Sequence, residues 1–154
     1  MPCRILIADD HRMVRDLLKS TLERHSNWQV CAEARNGLEA VQKAAELKPD
    51  LIILDLAMPV MDGLQAAREI LSASPGMPIL MFTNYSFPAL VREAATVGVR
   101  EVVDKGFAWR ELFRAVETAL SKRPATVRRQ RHTARQNHPP DISKPAASKV
   151  AQPS

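Results

Sequence analysis

Four short apolar runs, each followed directly by a polar or charged side chain, constrain the fold of this chain more than any other feature. The runs are RILIADD (4–10), LIILD (51–55), ILMFT (79–83) and VVDK (102–105). Segments with helical periodicity separate them, a pattern typical of buried parallel strands joined by helices. Because the carboxyl ends of parallel strands share one edge of a sheet, we expect the polar residues that end these runs to meet there.

Strand-like and helical patterns alternate strictly along the first 121 residues. The sequence predicts strands at about 4–8, 28–34, 50–55, 78–83 and 101–104, and helices at about 11–25, 38–48, 63–73, 88–97 and 108–121. Such alternation favours parallel strands, right-handed crossovers and helices on both faces of the sheet. The predicted fold is therefore α/β and flavodoxin-like, a (βα)5 doubly wound parallel sheet in the strand order 2-1-3-4-5.

The apolar periodicity of the helices predicts which residues pack against the sheet. The expected inward residues are Met13, Leu17, Leu18, Thr21 and Leu22 in the first helix, Leu64, Ala67, Ile70 and Leu71 in the third, and Leu112, Phe113, Val116 and Leu120 in the last. Pro88 is expected in the first turn of the fourth helix, and Gly98 at its C-cap.

Three acidic residues end the first and third predicted strands, which flank the switch point of such a sheet. They are Asp9, Asp10 and Asp55. A single aspartate at a strand end is more often a helix N-cap or a turn former. Three carboxylates in one pocket, however, repel each other and call for a cation. Hard oxygen ligands of this kind suit Mg²⁺, which commonly binds one or two carboxylates, water and phosphate oxygens.

The same residues resemble a known family. The acidic pair after RILIA, the segment LDLAMPVMDG (54–63), Thr83 after ILMF and Lys105 after VVD together resemble the CheY-like receiver domain of two-component response regulators. The opening ADDHRMVRDLL (8–18) is similar to the NarL/FixJ-type branch. The resemblance rests on five motifs in the right order and spacing, and covers roughly residues 3–120.

This resemblance implies a phosphoacceptor. Asp55 would take a phosphoryl group from a sensor histidine kinase or a histidine phosphotransfer protein and form an aspartyl-phosphate. The Mg²⁺ ligands would be Asp9, Asp10, Asp55 and the backbone carbonyl of Ala57. The protein would not be an enzyme in its own right, beyond self-catalysed phosphoryl transfer and slow autodephosphorylation.

Two further residues have roles that the resemblance implies. Lys105 would supply a second positive charge opposite the metal, and the hydroxyl of Thr83 would donate a hydrogen bond to a phosphoryl oxygen. His11, directly after the acidic pair, is interpreted as a residue at the rim of the pocket.

The chain departs from the family pattern at Val102, three residues before Lys105, where receivers usually carry Tyr or Phe. In the family that aromatic side chain swings inward after phosphorylation, and a valine cannot repeat a rotamer change of that size. Tyr85 and Phe87 are candidate substitutes.

A second departure concerns hydrolysis of the acyl phosphate. In the family, the side chains two residues after the acceptor Asp and two after the Thr help to position the attacking water. Here those positions hold Ala57 and Tyr85, and Tyr85 could shield the phosphate. We therefore expect slow autodephosphorylation.

The net charge of +5 is the sum of two unlike parts. Residues 1–120 contain 14 Lys and Arg and 16 Asp and Glu, whereas residues 121–154 contain 8 Lys and Arg and a single acid. The final segment also has five prolines and few large apolar residues, which favours disorder. We predict a receiver domain at 1–121 and a basic, disordered tail at 122–154. No helix-turn-helix pattern follows residue 121, so a stand-alone receiver is expected.

Three functions remain open from the sequence. The protein could be a phosphoacceptor that switches protein–protein contacts with a downstream target, or a receiver whose tail at 122–135 contacts nucleic acid without sequence specificity. It could also bind partners with phosphorylation uncoupled, as Val102 suggests. The 88–121 face, the family's usual dimer surface, is a candidate homodimer interface. Its charged residues are Arg92, Glu93, Arg100, Glu101, Arg110 and Glu111.

The distribution of apolar residues bears on where in the cell the protein is expected. No apolar stretch approaches the roughly 18 residues of a membrane span, and no signal peptide opens the chain, so a cytoplasmic protein without membrane contact is expected. Cys3 and Cys31 fall on the first two strands and are interpreted as buried, reduced thiols.

Overall fold

Five strands and five helices alternate along the chain, as predicted. The computed structural model describes residues 1–106 and 109–122 of the 154. The elements are β1 (Cys3–Ala8), α1 (Arg12–Leu22), β2 (Trp28–Ala34), α2 (Gly37–Leu47), β3 (Leu51–Leu54), α3 (Gly63–Ala73), β4 (Ile79–Thr83), α4 (Pro88–Val97), β5 (Glu101–Asp104) and α5 (Trp109–Ser121). The predicted basic tail, apart from its first residue, lies outside the described residues.

All neighbouring strands are parallel, and their order is β2-β1-β3-β4-β5, which confirms the predicted flavodoxin-like topology. The central strand β3 is buried along its whole length because helices cover both faces of the sheet. The pairing of β1 with β2 shifts register between Ile5 and Leu6, so that Cys31 has no partner residue across the ladder. The sequence pattern did not predict this irregularity.

Two apolar layers, one on each face of the sheet, form the core. Alternate strand residues point to opposite faces, so Leu6 and Ile52 pack with α2, α3 and α4, whereas Ile5 and Ile53 pack with α1 and α5. Both layers are filled by fully buried aliphatic side chains. This packing holds the carboxyl edge of the sheet, where the polar residues lie, on a rigid base.

The prediction for the first helix was partly wrong. The helix ends at Leu22 rather than near residue 25, and Met13 and Leu17, expected to face inward, are 84% and 50% exposed. The inward stripe is instead made of Arg15, Leu18, Thr21 and Leu22. The guanidinium of Arg15 tolerates burial because it finds hydrogen-bond acceptors beneath the helix.

The other helix predictions are confirmed. Leu64, Ala67 and Ile70 are buried in α3, as are Leu112 and Val116 in α5, while Leu71, Phe113 and Leu120 are partly buried. Pro88 is the first residue of α4, and Gly98 caps its C-terminus with φ 108°, a conformation that glycine adopts without strain.

No helix in the described part of the chain is long and apolar enough to span a membrane. Neither Cys3 nor Cys31 takes part in a disulfide in residues 1–106 and 109–122, in agreement with the predicted thiols, but both are partly rather than fully buried, so that part of the prediction was wrong.

Candidate functional site

The polar residues that end the strands meet at the carboxyl edge of the sheet. Asp9 and Asp10 follow β1, Asp55 follows β3, Thr83 ends β4 and Lys105 follows β5. Asp9 and Asp55 are only 1% and 5% exposed, and Thr83 is completely buried. Asp10, in contrast, is exposed. The fold therefore brings together the five residues that were predicted from the strand ends.

Lys105 links the two buried carboxylates. Its Nζ donates hydrogen bonds to Oδ2 of Asp9 at 2.6 Å and to Oδ2 of Asp55 at 3.0 Å. The backbone N–H of Lys105 donates to the carbonyl of Thr83 at 3.0 Å, and its ammonium lies 5.9 Å from the ring centre of Phe82. One cation, held from two sides, thus neutralises part of the charge of two buried acids.

Burial and this ion pair have opposite effects on the titrating groups. Burial raises the pKa of Asp55, and the repulsion from Asp9 adds to the increase, while the hydrogen bond and charge of Lys105 work against it. For Lys105, burial alone would lower the pKa. The hydrogen bonds and charges of Asp9 and Asp55 outweigh burial, so the pKa of Lys105 is raised and it stays protonated at neutral pH.

Backbone groups fix the two buried aspartates. The N–H of Asp9 donates to the carbonyl of Ala34 at 3.1 Å, and Oδ1 of Asp9 accepts from the N–H of His11 at 2.9 Å. The N–H of Asp55 donates to the carbonyl of Ala8 at 2.8 Å, and its Oδ1 accepts from the N–H of Leu56 at 2.8 Å. Neighbouring strands and helix starts therefore hold the carboxylates in place before any ligand arrives.

The acidic cluster fits a magnesium ion by its donor set. Asp9, Asp10, His11 and Asp55 each offer a ligand atom, and these atoms lie within 4.8 Å of one another. Candidate ligand atoms this close together could all contact one small cation. Three carboxylates suit this hard ion, whereas imidazole suits softer metals.

His11, interpreted from the sequence as a residue at the rim of the pocket, directly contacts one of the acidic side chains. Its Nδ1 is 2.9 Å from Oδ1 of Asp10, although its side chain is largely exposed. Its backbone N–H, which binds Asp9, is the more constrained part of the residue. His11 is the N-cap residue of α1, but its side chain makes no capping hydrogen bond.

Two glycines hold the loop between β3 and α3 against its neighbours. The N–H of Gly63 donates to the carbonyl of Leu56 at 2.8 Å, and that of Gly37 to the carbonyl of Met61 at 2.9 Å. A Cβ built on Gly63 would lie 1.9 Å from the carbonyl oxygen of Asp55, so a side chain cannot be accommodated there without movement. Ala57 lies exposed in this loop, and its carbonyl remains a predicted metal ligand.

The same loop contains a strained residue. Val60 has a φ of 69°, in the left-handed region that β-branched residues rarely adopt, and its side chain is exposed. Asp62 ends the loop by capping α3, since its carboxylate accepts from the N–H of Gln65 at 2.8 Å.

On the other side of the site, Thr83 is tied to the loop that follows β4. Its Oγ1 accepts from the N–H of Tyr85 at 3.2 Å. Further along the loop, the hydroxyl of Ser86 donates to the carboxylate of Asp104, next to Lys105. Tyr85 and Phe87 both expose about half of their surface. A single hydrogen bond thus links the buried hydroxyl of Thr83 to the backbone of Tyr85, a residue whose aromatic side chain is exposed.

Val102 is partly buried and packs against the layer formed with α4. It lines a cavity of about 470 Å³ between α4, β5 and α5. The lining residues are Ser86, Val91, Glu101, Val102, Val103, Asp104 and Glu111. The position that usually holds an aromatic side chain therefore borders open space in this chain.

Several charges on the 88–121 face are paired within the chain. Glu93 pairs with Arg68 at 2.6 Å, and Arg114 pairs with both Glu101 and Glu111. Arg92 and Arg110 are exposed. Homodimerisation through this face stays a prediction.

Comparisons with known proteins agree with this geometry. The family model for the response regulator receiver domain matches residues 5–117. Over 116 residues the chain is 36% identical to chemotaxis protein CheY of Listeria monocytogenes, a match that covers 75% of this chain and 97% of that protein. Over 118 residues it is 37% identical to the transcriptional regulatory protein LnrK of Bacillus subtilis, covering 77% of this chain but only 54% of that protein.

A solved structure is similar as well. The response regulator domain of Thermotoga maritima CheB superposes with a TM-score of 0.75 at 29% identity, covering 80% of this chain and all of that one. The match thus spans nearly the whole length of the Listeria CheY protein but only about half the length of LnrK.

Proposed function

Because this chain belongs to the response regulator receiver domain family of two-component signalling, we propose that it accepts a phosphoryl group on Asp55 and thereby switches its contacts with a downstream protein. The donor would be a sensor histidine kinase or a histidine phosphotransfer protein in the cytoplasm. The observation that carries the proposal is the position of Asp55. It lies nearly buried at the end of the central strand, hydrogen-bonded to Lys105 and next to an acidic pair.

In the proposed step, a carboxylate oxygen of Asp55 attacks phosphorus. A P–O bond forms as the P–N bond to the phosphohistidine breaks, and the electron pair of that bond returns to the imidazole. Lys105, which now binds Asp55 at 3.0 Å, can transfer that hydrogen bond to a phosphoryl oxygen. The hydroxyl of Thr83 would donate to a second oxygen, so that negative charge is met by fixed donors.

The metal ligands in this proposal are Asp9, Asp10, Asp55 and the backbone carbonyl of Ala57. When bound, Mg²⁺ supplies positive charge against the phosphoryl oxygens. The chain's own contribution is to keep the carboxylates at a fixed distance and partly out of water, through the backbone hydrogen bonds to Asp9 and Asp55.

The test is the intact mass of the protein after incubation with Mg²⁺ and acetyl phosphate. The wild type should gain about 80 Da, one phosphoryl group, and Asp55→Asn should gain nothing. Asp16→Asn, which changes an exposed aspartate on α1, is the matched control and should behave as the wild type. Equal phosphorylation of Asp55→Asn, or no gain with any phosphodonor or kinase, would refute the proposal.

A second candidate function is supported by Val102 and the cavity beside it. A receiver that lacks the aromatic side chain could bind its partner whether or not Asp55 is phosphorylated. Partner binding that ignores the Asp55→Asn change and the addition of acetyl phosphate would favour this uncoupled module. Binding that changes with phosphorylation would favour the switch.

A further inference from the structure

Arg15 is a buried cation on α1 that the proposed reaction does not use. It is 8% exposed, and its guanidinium makes two hydrogen bonds beneath the helix. Nε donates to Oε1 of Glu33 on β2 at 3.2 Å, and a terminal nitrogen donates to the backbone carbonyl of Asp9 at 2.9 Å. Burying a guanidinium is costly unless its donors are satisfied, and these two acceptors allow Arg15 to lie beneath the helix.

The carbonyl that Arg15 binds belongs to the peptide between Asp9 and Asp10. That peptide is planar, so fixing its oxygen fixes the direction in which the chain enters Asp10. The preceding peptide is held as well, since the N–H of Asp9 donates to Ala34. The side chain of Asp10 is exposed and contacts the imidazole of His11, whose side chain is also largely exposed. Its backbone therefore provides the firmer constraint.

We propose that Arg15 is a positioning residue for the divalent cation site: by binding the Asp9 carbonyl, it orients Asp10 toward the metal. This inference rests on the proposed function, because it assumes that Asp10 binds Mg²⁺. Glu33 keeps the guanidinium in place, and Lys43 of α2 in turn donates to the carbonyl of Glu33. Residues that orient metal ligands in this way strongly affect metal affinity.

The sign of the effect separates positioning from simple electrostatics. Removing a positive charge near a cation site should strengthen cation binding, because one repulsion is lost. Loss of a positioning contact should weaken it. Lys19 offers the matched control, since its Nζ lies 4.0 Å from the same Glu33 carboxylate and it shares no contact with Asp9 in the described hydrogen bonds.

The experiment is a calorimetric titration of the full-length protein with MgCl₂, which reads metal binding without phosphorylation. We expect Arg15→Met, which keeps the apolar stem, to raise the Kd for Mg²⁺ about tenfold. Lys19→Gln should leave the Kd unchanged or lower it. Arg15→Lys conserves the charge, but one ammonium replaces the two guanidinium nitrogens that bind Glu33 and the Asp9 carbonyl, so the carbonyl should be held less firmly. Its Kd should fall between those of the wild type and Arg15→Met.

Thermal unfolding in EDTA, followed by circular dichroism, establishes that each variant is folded at the titration temperature. If Arg15→Met does not fold, Arg15→Lys decides, and an unchanged Kd in that variant overturns the inference. Binding by Arg15→Met as tight as or tighter than that of the wild type also overturns it. If the wild type itself does not bind Mg²⁺, the metal part of the proposed function fails and the inference fails with it.

Discussion

Replacing Gly63 with alanine should destabilise the fold and displace Asp55, the proposed phosphoacceptor. The Cβ of an alanine would lie 1.9 Å from the carbonyl oxygen of Asp55 and 2.8 Å from its carbonyl carbon. Both neighbours are backbone atoms of the residue proposed to accept the phosphoryl group, so no flexible side chain can move aside. The start of α3 and the end of β3 must separate by roughly 1 Å before the contact becomes tolerable.

The cost follows from what that separation breaks. The hydrogen bond from Gly63 N–H to the Leu56 carbonyl, now 2.8 Å, would be stretched beyond bonding distance, at about 1 kcal/mol. Overpacking adds about 1–3 kcal/mol. Alanine's better helix propensity returns at most about 1 kcal/mol. We therefore expect Gly63→Ala to lower the free energy of unfolding by about 2 kcal/mol, which at an m-value near 2 kcal/mol/M shifts the urea midpoint by about 1 M.

Gly76→Ala is the matched control, because a Cβ at Gly76 meets no atom within 4 Å. Its free energy of unfolding should stay within about 0.5 kcal/mol of the wild-type value. The initial rate of phosphorylation by acetyl phosphate, measured below the unfolding transition, should fall for Gly63→Ala and not for Gly76→Ala. If the two variants lose the same stability, or if Gly63→Ala is fully active, the close approach of α3 to Asp55 is not a constraint.

Four other expectations follow from single features. Asp55→Asn should be more stable than the wild type at neutral pH, because burial raises the pKa of the carboxyl and its ionised form opposes folding. The advantage should shrink as the pH falls through that raised pKa toward the ordinary value of 3.8, where both folded and unfolded wild type are protonated; urea titrations at several pH values measure it. Val60→Asn should stabilise the fold by about 1 kcal/mol, since asparagine tolerates the left-handed conformation, and an unchanged or lower urea midpoint would contradict this. Phosphorylated protein freed of phosphodonor should lose its label slowly, because Ala57 and the exposed Tyr85 provide no obvious help to water; a lifetime of seconds would count against this reading. Removing residues 123–154 should abolish any salt-sensitive binding to nucleic acid in a filter-binding assay, and binding that survives the truncation would exclude the tail as its source.

The topology and the meeting of the site residues could be predicted because both follow from strand ends. A run such as LIIL can only be buried on both faces, so Asp55 directly after it must lie at the edge of the sheet. The same reasoning placed Asp9, Thr83 and Lys105 at that edge without any knowledge of distances. The sequence pattern could not predict whether Lys105 binds one carboxylate or both. That depends on how far its side chain reaches across two strands.

Arg15 shows why the rest could not be predicted. Helical periodicity assigns apolar residues to the inward face, so Met13 and Leu17 were expected there and a charged residue was not. The inward position of Arg15 depends on the Asp9 carbonyl and on Glu33, which is 18 residues away in sequence. The register shift between β1 and β2 is similar, since it involves the packing of two strands rather than the pattern of either one.

The two sides of the site differ in how firmly they are held, and this difference suits the proposed transfer of a phosphoryl group to Asp55 and the signal that would follow. On the Asp55 side, the backbone is locked by Ala8, Leu56 and the close approach of Gly63, so the attacking oxygen is preorganised. On the other side, Lys105 is held by ion pairs to two carboxylates, and Thr83 by one bond from the Tyr85 N–H. If Asp55 accepts a phosphoryl group as proposed, that group would compete with the two carboxylates for Lys105 and would accept a hydrogen bond from the Thr83 hydroxyl. We therefore expect the rearrangement to fall on the loop that carries Tyr85, while the strand that precedes Asp55 stays in place.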